Sequence, residues 1–256
     1  MRVLAIIPAR YESSRFPGKP LATLGGESII SRVWRRVGRC HAVDTTLVAT
    51  DDEGICDHVE SFAGEGSVML TFEEHRSGTD RCGEVMRRLE NDGERFDIVL
   101  NVQGDEPFVE PSQLQTLVDA FKDPAVQIAT LATRIKDNDE LHSPNNVKVV
   151  FAADGKALYF SRQPIPFQRD VPEGQWLQKG VYYKHVGIYA FRPELLQTVC
   201  RLDTCTLEEC ERLEQLRWLH AGLPVNVLET PHANIGIDTP DDLAAAEEYM
   251  KQNNLR

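Results

Sequence analysis

The sequence predicts an α/β protein with a mostly parallel sheet and helices on both of its faces. Three observations support this fold class. Short apolar runs typical of buried strands alternate with amphipathic segments of helical period. Polar loops rich in glycine and proline follow these runs, at the edge where open α/β sheets bind ligands. The 256 residues, 41 % apolar and 27 % charged, suit one large domain without repeats or low-complexity segments.

The charge and the apolar runs narrow the class of protein. A net charge of −12 argues against nucleic acid binding, which needs a basic face to neutralise phosphates. The first apolar run is too short for a signal peptide and no run approaches the length of a membrane helix, so we expect a cytoplasmic protein without membrane insertion. The six cysteines form no Cys-x-x-Cys pair and are expected to be free thiols.

The first predicted strand, over residues 3–7, leads into a loop over residues 8–21 that prolines and a glycine keep from forming a helix. Its cations and hydroxyls are Arg10, Ser13, Ser14, Arg15 and Lys19. This is not a Walker phosphate loop, because serine replaces the first glycine and proline follows the lysine. The local sequence permits either a polyanion-binding loop or an ordinary solvated one.

The next elements continue the alternation. We expect helices over residues 28–39, 53–62 and about 79–89, and strands over residues 46–50 and 68–70. This pattern predicts parallel strands joined by right-handed crossovers. The arginines of the first helix, Arg32, Arg35, Arg36 and Arg39, lie at helical spacing and are expected on a solvated face.

A polar loop precedes the helix that is expected to start near Thr79. Thr79 is the predicted N-cap of this helix. Ser77, Gly78 and Arg81 add hydrogen-bond donors and a point of close approach. These residues suit a nucleotide base or phosphate, and they also suit helix capping alone.

The strongest catalytic candidate is Asp105, which follows a strand expected over residues 97–102. A strand that ends in Gly-Asp-Glu-Pro presents a carboxylate at the carboxyl edge of the sheet, where it can hold Mg²⁺ against phosphate. The alternative is an Asx turn, in which Asp105 bonds its own backbone ahead of Pro107. The cationic loop at the same edge favours the metal.

The pattern changes after a helix over residues 111–121 and a strand over residues 127–135. Strand-like runs then recur without full crossover helices at 147–150, 157–161 and 182–191, and a long loop covers residues 163–180. We interpret this region as a smaller inserted β-rich part that forms a lid, a substrate loop or a dimer contact. Arg162 and His185 lie in it, with either a structural or a ligand-binding role.

The last part is expected to contain a short helix from Pro193, a helix over residues 207–221, a strand over 225–228 and a final helix. Glu214 and Gln215 flank the apolar stripe of the second of these helices, either beside a cleft or on a solvated face. Thr239, Pro240 and Asp242 are the expected cap of the final helix. Capping leaves Asp238 unexplained, one residue outside that helix.

Several short motifs stand out in order along the chain. They are Ile7-Pro-Ala-Arg10 with Ser13, Arg15 and Pro17-Gly-Lys-Pro-Leu21, then His75-Arg-Ser-Gly-Thr-Asp-Arg81, Asn101-Val-Gln-Gly-Asp-Glu-Pro107, Val147-Lys-Val-Val150, Tyr159-Phe-Ser-Arg162, His185-Val-Gly-Ile-Tyr189, Leu213-Glu-Gln-Leu-Arg217 and Gly236-Ile-Asp-Thr-Pro240. Together they resemble the 3-deoxy-manno-octulosonate cytidylyltransferase (CMP-Kdo synthetase) family. The resemblance spans residues 3–248, with departures at 167–181 and 200–210.

The resemblance implies a nucleotide-diphospho-sugar-transferase-like fold with a mostly parallel Rossmann-like sheet. It implies a single cytidylyltransferase domain over residues 1–256, with a nucleotide-binding part at 1–135 and a sugar-binding and dimerisation part at about 145–230. It further implies a Mg²⁺-dependent homodimer that transfers CMP from CTP to the anomeric hydroxyl of Kdo, with release of pyrophosphate, for lipopolysaccharide biosynthesis.

The resemblance also implies roles for particular residues. The nucleotide would contact Ala9, Arg10, Ser13, Arg15, Lys19, Ser77 and Gly78. Asp105 and Asp238 would hold Mg²⁺ and, with Arg10 and Lys19, form the catalytic set. The sugar would contact Gln103, Arg162, His185, Tyr189, Glu214 and Gln215, with Arg162 at its carboxylate.

Two other functions stay open on the sequence. A cytidylyltransferase for another acidic sugar, such as sialic acid, needs a similar carboxylate contact and different hydroxyl contacts. A catalytically silent nucleotide-binding module keeps the fold, but the presence of both Asp105 and Asp238 argues against it.

Overall fold

The computed structural model describes residues 1–12 and 15–253, and its elements follow the predicted alternation. The strands are β1 (Val3–Pro8), β2 (Thr23–Leu24), β3 (Glu27–Ser28), β4 (Thr45–Thr50), β5 (Val68–Leu70), β6 (Ile98–Asn101), β7 (Ile128–Arg134), β8 (Lys148–Phe151), β9 (Ala157–Ser161), β10 (Tyr183–Phe191) and β11 (Asn226–Glu229). The helices are α1 (Ile29–Val37), α2 (Glu53–Ala63), α3 (Gly78–Asn91), α4 (Pro111–Ala120), α5 (Asn138–His142), α6 (Trp176–Lys179), α7 (Pro193–Val199), α8 (Thr206–Glu211), α9 (Gln215–His220) and α10 (Pro240–Gln252).

Nine of the strands in the described ranges form one sheet, whose main path runs β11-β7-β10-β6-β1-β4-β5. β1 is parallel to β4 and β6, β4 is parallel to β5, and β11 is parallel to β7. β10 runs antiparallel to β6 and β7, and it also pairs with β8, which forms a hairpin with β9. The predicted fold class, a mostly parallel sheet with an added β-rich part, is confirmed. The division of the chain at residues 135 and 145 stays a prediction.

Strand β1 shows why both faces of the sheet are covered. Its odd positions, Val3, Ala5 and Ile7, belong to a core that includes α1, and its even positions, Leu4 and Ile6, belong to a second core that includes α3. Successive side chains of a strand point to opposite faces, so one apolar run serves both cores. All six residues of β1 are buried, so the loop after β1 begins at the end of a fully buried strand.

The helix predicted over residues 207–221 is wrong, because α8 and α9 are separate. Arg212 ends α8 with a φ of 53°, a left-handed conformation that stops a helix. The carboxylate of Glu211 accepts hydrogen bonds from the Ser161 hydroxyl and the Arg162 backbone N–H, whereas Glu214 reaches α3. In one continuous helix these two carboxylates, three residues apart, would share a face. The break lets them reach different partners.

The prediction of a solvated arginine face on α1 is right for Arg35 and Arg39, which are exposed, and wrong for Arg32 and Arg36. Arg32 is only 6 % exposed, and its guanidinium donates to the carbonyl oxygen of Leu24 at 2.8 Å. Arg36 donates to the carbonyl oxygen of Val109 at 2.6 Å and pairs with Glu110. Arg32 thus ties α1 to β2, and Arg36 ties it to the residues before α4. Helical spacing alone does not reveal such partners.

The remaining expectations concern the thiols, the long loop and the helices. All six cysteines are free, as predicted. The segment expected as a loop over residues 163–180 contains the short helix α6, where Trp176 is buried and stacks on Tyr182. Among the described helices, none combines the length and the apolar character needed to cross a membrane.

Candidate active site

A first cavity, of about 190 Å³, lies at the carboxyl end of β1, between the loop after this strand, the start of α3 and the loop after β6. The predicted site residues that line it are Ala9, Arg10, Arg15, Lys19, Ser77, Gly78, Gln103, Asp105 and Asp238. Ser13, predicted in the same site, lies outside the described residues. The structure therefore brings together side chains from the two ends of the chain.

Two glycines let the backbone close around the first cavity. A Cβ at Gly104 would lie 2.7 Å from the carbonyl oxygen of Pro8, and a Cβ at Gly78 would lie 2.9 Å from Cγ of the same proline. Any side chain at either position would force these segments apart. The loop after β6 and the start of α3 can thus pack directly against the end of β1.

Cationic side chains outnumber carboxylates on the described wall of the first cavity. Arg76 and Arg81 join the three predicted cations there. Arg81 is only 3 % exposed and pairs with Asp51 at 2.6 Å, so part of its charge is already compensated. Sequence analysis did not single out Arg76, although its place between His75 and Ser77 in a polar loop was a usable signal. In a protein of net charge −12, such a concentration of cations suits a polyanionic ligand.

Lys19 connects the two predicted metal ligands. Its Nζ lies 2.6 Å from Oδ2 of Asp105 and 3.2 Å from Oδ1 of Asp238. Arg15 lies 3.0 Å from the other oxygen of Asp238, in an exposed pair that contributes little to stability. The Lys19 side chain is only 13 % exposed, so its contacts are better shielded from water.

The cap of α10 places Asp238. Thr239 is the N-cap and forms a capping box with Asp242, as predicted. Oδ2 of Asp242 also accepts the backbone N–H of Asp238 at 3.0 Å. The capping network thereby fixes the backbone of Asp238 while its carboxylate faces Lys19.

The donor set of Asp105 and Asp238 fits a Mg²⁺ ion that takes its remaining ligands from a substrate. In phosphate-transfer sites Mg²⁺ is commonly held by one or two carboxylates together with phosphate oxygens and water. Within residues 1–12 and 15–253, no group of three or more His, Cys, Asp or Glu could form an all-protein metal site. Both carboxylates approach the same Lys19 Nζ, so they can converge on one charge.

The N-cap of α3 is Ser77, and the prediction of Thr79 is wrong. Ser77 Oγ accepts the backbone N–H of Asp80 at 3.1 Å and donates to Oε1 of Glu214 at 2.9 Å. Thr79 Oγ1 instead donates to Oε2 of Glu214 at 2.8 Å. The partner of Thr79 lies far along the chain, which capping rules cannot anticipate. Through Ser77, the first cavity is connected to Glu214.

A second cavity, of about 680 Å³, adjoins the first and shares Arg15 and Asp238 with it. His185, one of the predicted sugar-binding residues, lies in its wall. Glu106, which sequence analysis did not propose, lies there too, and burial together with the neighbouring Asp105 raises the pKa of Glu106 to about 8. Its position directly after Asp105 was the only signal in the sequence.

Tyr189 and Gln215 are buried and Glu214 is partly buried, and none of the three belongs to the lining of either cavity. Burial raises the pKa of Glu214 to about 7, although Thr79 and Ser77 donate hydrogen bonds to it. Burial also raises the pKa of Tyr189. Gln215 is 5 % exposed, and its Nε2 has no hydrogen-bond partner among the described residues. Buried polar atoms of this kind are rare in native proteins and can serve a ligand.

Arg162 also lies outside both cavities. Its guanidinium donates to the carbonyl oxygens of Glu211 at 2.7 Å and Pro144 at 2.9 Å. In this arrangement Arg162 ties the end of β9 to the break between α8 and α9. Its role at a sugar carboxylate stays a prediction.

The fold and the site together define a nucleotidyltransferase. The carboxyl edge of an α/β sheet carries a cationic cavity suited to a polyphosphate, with two carboxylates suited to Mg²⁺. A family model described as cytidylyltransferase matches residues 4–229. The chain belongs to the cytidylyltransferase family.

Comparison with known proteins gives closely related sequences and a closely related structure. The chain is 48 % identical to the 3-deoxy-manno-octulosonate cytidylyltransferase of Phocaeicola vulgatus, over 98 % of each chain. It is 47 % identical to the protein of the same name from Bacteroides thetaiotaomicron, over 98 % of this chain and 99 % of the relative. A solved structure of CMP:2-keto-3-deoxy-manno-octonic acid synthetase complexed with CTP matches with a TM-score of 0.89 and 40 % identity, over 99 % of this chain and 100 % of the other.

Proposed function

We propose that this protein transfers CMP from CTP to the anomeric hydroxyl of 3-deoxy-manno-octulosonate (Kdo) and releases pyrophosphate. The observation that carries the proposal is the first cavity, where Arg10, Arg15 and Lys19 lie with Asp105 and Asp238. The names of the relatives support the choice of Kdo, and the related structure with CTP supports the nucleotide. The same proposal includes a cytoplasmic enzyme that supplies lipopolysaccharide biosynthesis.

The residues of the first cavity suit the charge that this reaction develops. A bond forms between the sugar oxygen and the α-phosphorus, the bond to the β-phosphate oxygen breaks, and the hydroxyl proton passes to solvent. Because charge grows on the pyrophosphate, catalysis consists of positioning and electrostatic stabilisation. Arg10, Arg15 and Lys19 would hold the triphosphate. Mg²⁺ bound by Asp105 and Asp238 would supply further positive charge and acidify the attacking hydroxyl.

The second cavity is the proposed sugar site. It shares Arg15 and Asp238 with the first cavity, so a sugar held there can bring its hydroxyl to the α-phosphate. Gln103, in the first cavity, and His185, in the second, are available for its hydroxyls. The proposal includes a homodimer, which the exposed apolar side chains of Leu158 and Phe167 in the inserted part support.

The test is pyrophosphate release by the purified protein. Each of the four nucleoside triphosphates is combined with Kdo, with sialic acid and with no sugar, in the presence of Mg²⁺. We expect release with CTP and Kdo only, and loss of release when EDTA removes the metal. Release with CTP and sialic acid but not Kdo would assign the chain to the rival acidic sugar. Light scattering of the same sample measures the oligomeric state.

A further inference from the structure

A buried threonine lies opposite an irregularity in the strand that carries His185. β10 pairs regularly with β7 as far as Val186, and the pairing resumes at Tyr189, which faces Thr130. The residues between them have no partner across the strands, so β10 forms a bulge at this point. Bulges re-aim side chains near active sites, and this one separates two of the predicted sugar-binding residues.

The hydroxyl of Thr130 has three hydrogen-bond partners within 3.1 Å, and it also interacts with the side chain of Tyr189. Its Oγ1 lies 2.9 Å from the carbonyl oxygen of Ile188, 3.1 Å from that of Val186 and 3.0 Å from Nε2 of His185. Thr130 is fully buried, so water cannot substitute for these partners. The side chain therefore spans the bulge and touches the imidazole ring at the same time.

The protonation of this cluster follows from the number of available donors. A threonine hydroxyl donates one proton, and a carbonyl oxygen only accepts. If Nε2 accepted that proton, both carbonyl oxygens would face Oγ1 with no hydrogen between them. All three contacts contain a hydrogen when Thr130 shares its one proton between the two carbonyl oxygens in a three-centre bond and His185 donates its Nε2–H to Oγ1.

The other ring nitrogen of His185 is then an acceptor. Burial lowers the pKa of His185 to about 3, so the ring is neutral near neutral pH. Phe160 packs edge-on against the ring, with the centroids 5.0 Å apart. Nδ1 hydrogen-bonds to none of the described residues, and His185 belongs to the wall of the second cavity.

We propose that Thr130 is a positioning residue that holds His185 as the Nε2–H tautomer, so that Nδ1 accepts a hydrogen bond from a hydroxyl of the sugar. This inference rests on the proposed function, and it specifies which group of the sugar His185 can bind. The lone pair of Nδ1 requires a donor, which a hydroxyl provides and an ionised carboxylate does not. The carboxylate of an acidic sugar must therefore lie away from His185 in the second cavity.

The tautomer can be measured directly in the wild-type protein. A long-range ¹H–¹⁵N NMR spectrum distinguishes a protonated ring nitrogen from an unprotonated one, and His185→Phe identifies the signals of this residue among the seven histidines. We expect a protonated Nε2 and an unprotonated Nδ1. The reverse pattern, or a ring protonated on both nitrogens at neutral pH, would overturn the proposal.

Two matched variants of Thr130 test whether the tautomer of His185 affects the binding of the sugar. Thr130→Val removes the hydroxyl at nearly constant shape, and Thr130→Ser retains it. For Thr130→Val we expect the KM for Kdo to rise about tenfold, the effect of one weakened hydrogen bond, and signals of both tautomers to appear. The kcat and the KM for CTP should change by less than about twofold, because Thr130 does not line the first cavity. Thr130→Ser should resemble the wild type in all these respects.

The possible failures are distinguishable. An unchanged KM for Kdo in Thr130→Val would overturn the positioning role even if the wild-type tautomer is as expected. If Thr130→Val does not fold, the wild-type spectrum still tests the tautomer, and an Nδ1–H ring there overturns the proposal. Absence of pyrophosphate release by the wild type with CTP and Kdo would overturn the proposed function and the sugar hydroxyl as donor, whereas the spectra of the wild type and Thr130→Val would still show whether Thr130 holds the tautomer of His185.

Discussion

The two sides of the candidate active site are built in opposite ways. The first cavity takes its cations and carboxylates from loops, and the ion pair of Arg15 with Asp238 stays half-exposed, at 59 % and 50 % of the side chains. The buried polar side, formed by His185, Tyr189, Glu214 and Gln215, takes its groups from β10, α9 and the residue before α9. Burial shifts the pKa of His185 to about 3 and that of Glu214 to about 7, in both cases toward the neutral form. The side chains of the first cavity are charged, which suits a polyphosphate, whereas His185 and Glu214 favour their neutral forms, which suits the hydroxyls of a sugar.

The largest expected effect tests the charged side. Asp105→Asn removes a negative charge from the proposed metal site at constant shape. Turnover should fall at least about 100-fold, the scale of losing one preorganised electrostatic group, while CTP still binds. Steady-state pyrophosphate release and calorimetric CTP titration measure the two quantities. Asp154→Asn, in an exposed turn and paired with Lys156, is the control and should behave as the wild type. Near-normal turnover in Asp105→Asn would remove Asp105 from the metal site.

The next effect tests the neutral side through the pH dependence of stability. Burial raises the pKa of Glu214 from the ordinary 4.5 of a glutamate to about 7. Below the unfolded-state pKa the carboxyl is protonated in both states. Between the two pKa values only the native state keeps the proton, so stability falls as pH rises, by up to about 3 kcal/mol.

Glu214→Gln lacks this titration. Relative to the wild type, its free energy of unfolding should therefore become larger, meaning that the variant becomes relatively more stable, as pH rises from about 4.5 to about 7. Urea unfolding at both ends of this range measures the difference. Glu247→Gln, on the exposed side of α10, is the control and should show a constant difference from the wild type. The same constant difference for Glu214→Gln would mean that Glu214 is ionised at neutral pH, and the contrast between the two sides would weaken.

A smaller effect on the charged side concerns Lys19. Lys19→Ala removes a cation proposed to hold the triphosphate, so kcat/KM for CTP should fall about tenfold to 150-fold, the range for one hydrogen bond to a charged group. Stability should change little, because Asp105 and Asp238 remain partly open to water. Lys156→Ala, in an exposed pair with Asp154, is the control. A large loss of stability in Lys19→Ala with normal CTP use would make Lys19 a structural residue.

The two sides also differ in how far the sequence could predict them. Arg10, Lys19 and Asp105 lie in loops that follow buried strands, and helix capping fails to explain Asp238, so local patterns were enough to predict that they meet at one edge of the sheet. The nine strands of the main sheet were predicted within one residue of their observed ends for the same reason, since a buried apolar run is a local signal. The two-residue strands β2 and β3 were not predicted.

The buried polar side depends on partners that are distant in sequence. Thr79 donates to Glu214 while Ser77 caps α3, and the left-handed Arg212 between α8 and α9 lets Glu211 and Glu214 reach different partners. Thr130 gave no signal, because a threonine in an apolar strand is an ordinary β-branched residue until its hydroxyl is seen opposite a bulge. Tertiary contacts, which no local rule contains, decide these positions.

The smallest expected effect is the coupling free energy between Ser77 and Glu214, which tests whether the two sides of the site are independent. Ser77 lines the first cavity and donates to Glu214, so one hydrogen bond joins the sides. Ser77→Ala should cost about 1 kcal/mol of stability through the lost cap of α3. That cost is common to the wild type and to Glu214→Gln, so a double-mutant cycle cancels it and leaves the Ser77–Glu214 interaction.

At about pH 8, above the pKa of Glu214 of about 7, the hydrogen bond from Ser77 has a charged acceptor, and we expect a coupling free energy of about 1 kcal/mol. At about pH 5 the acceptor is neutral and the coupling should shrink. Additive effects at both pH values would mean that the cationic cavity and the buried polar side fold as separate sites, and that the contact between them contributes nothing to either.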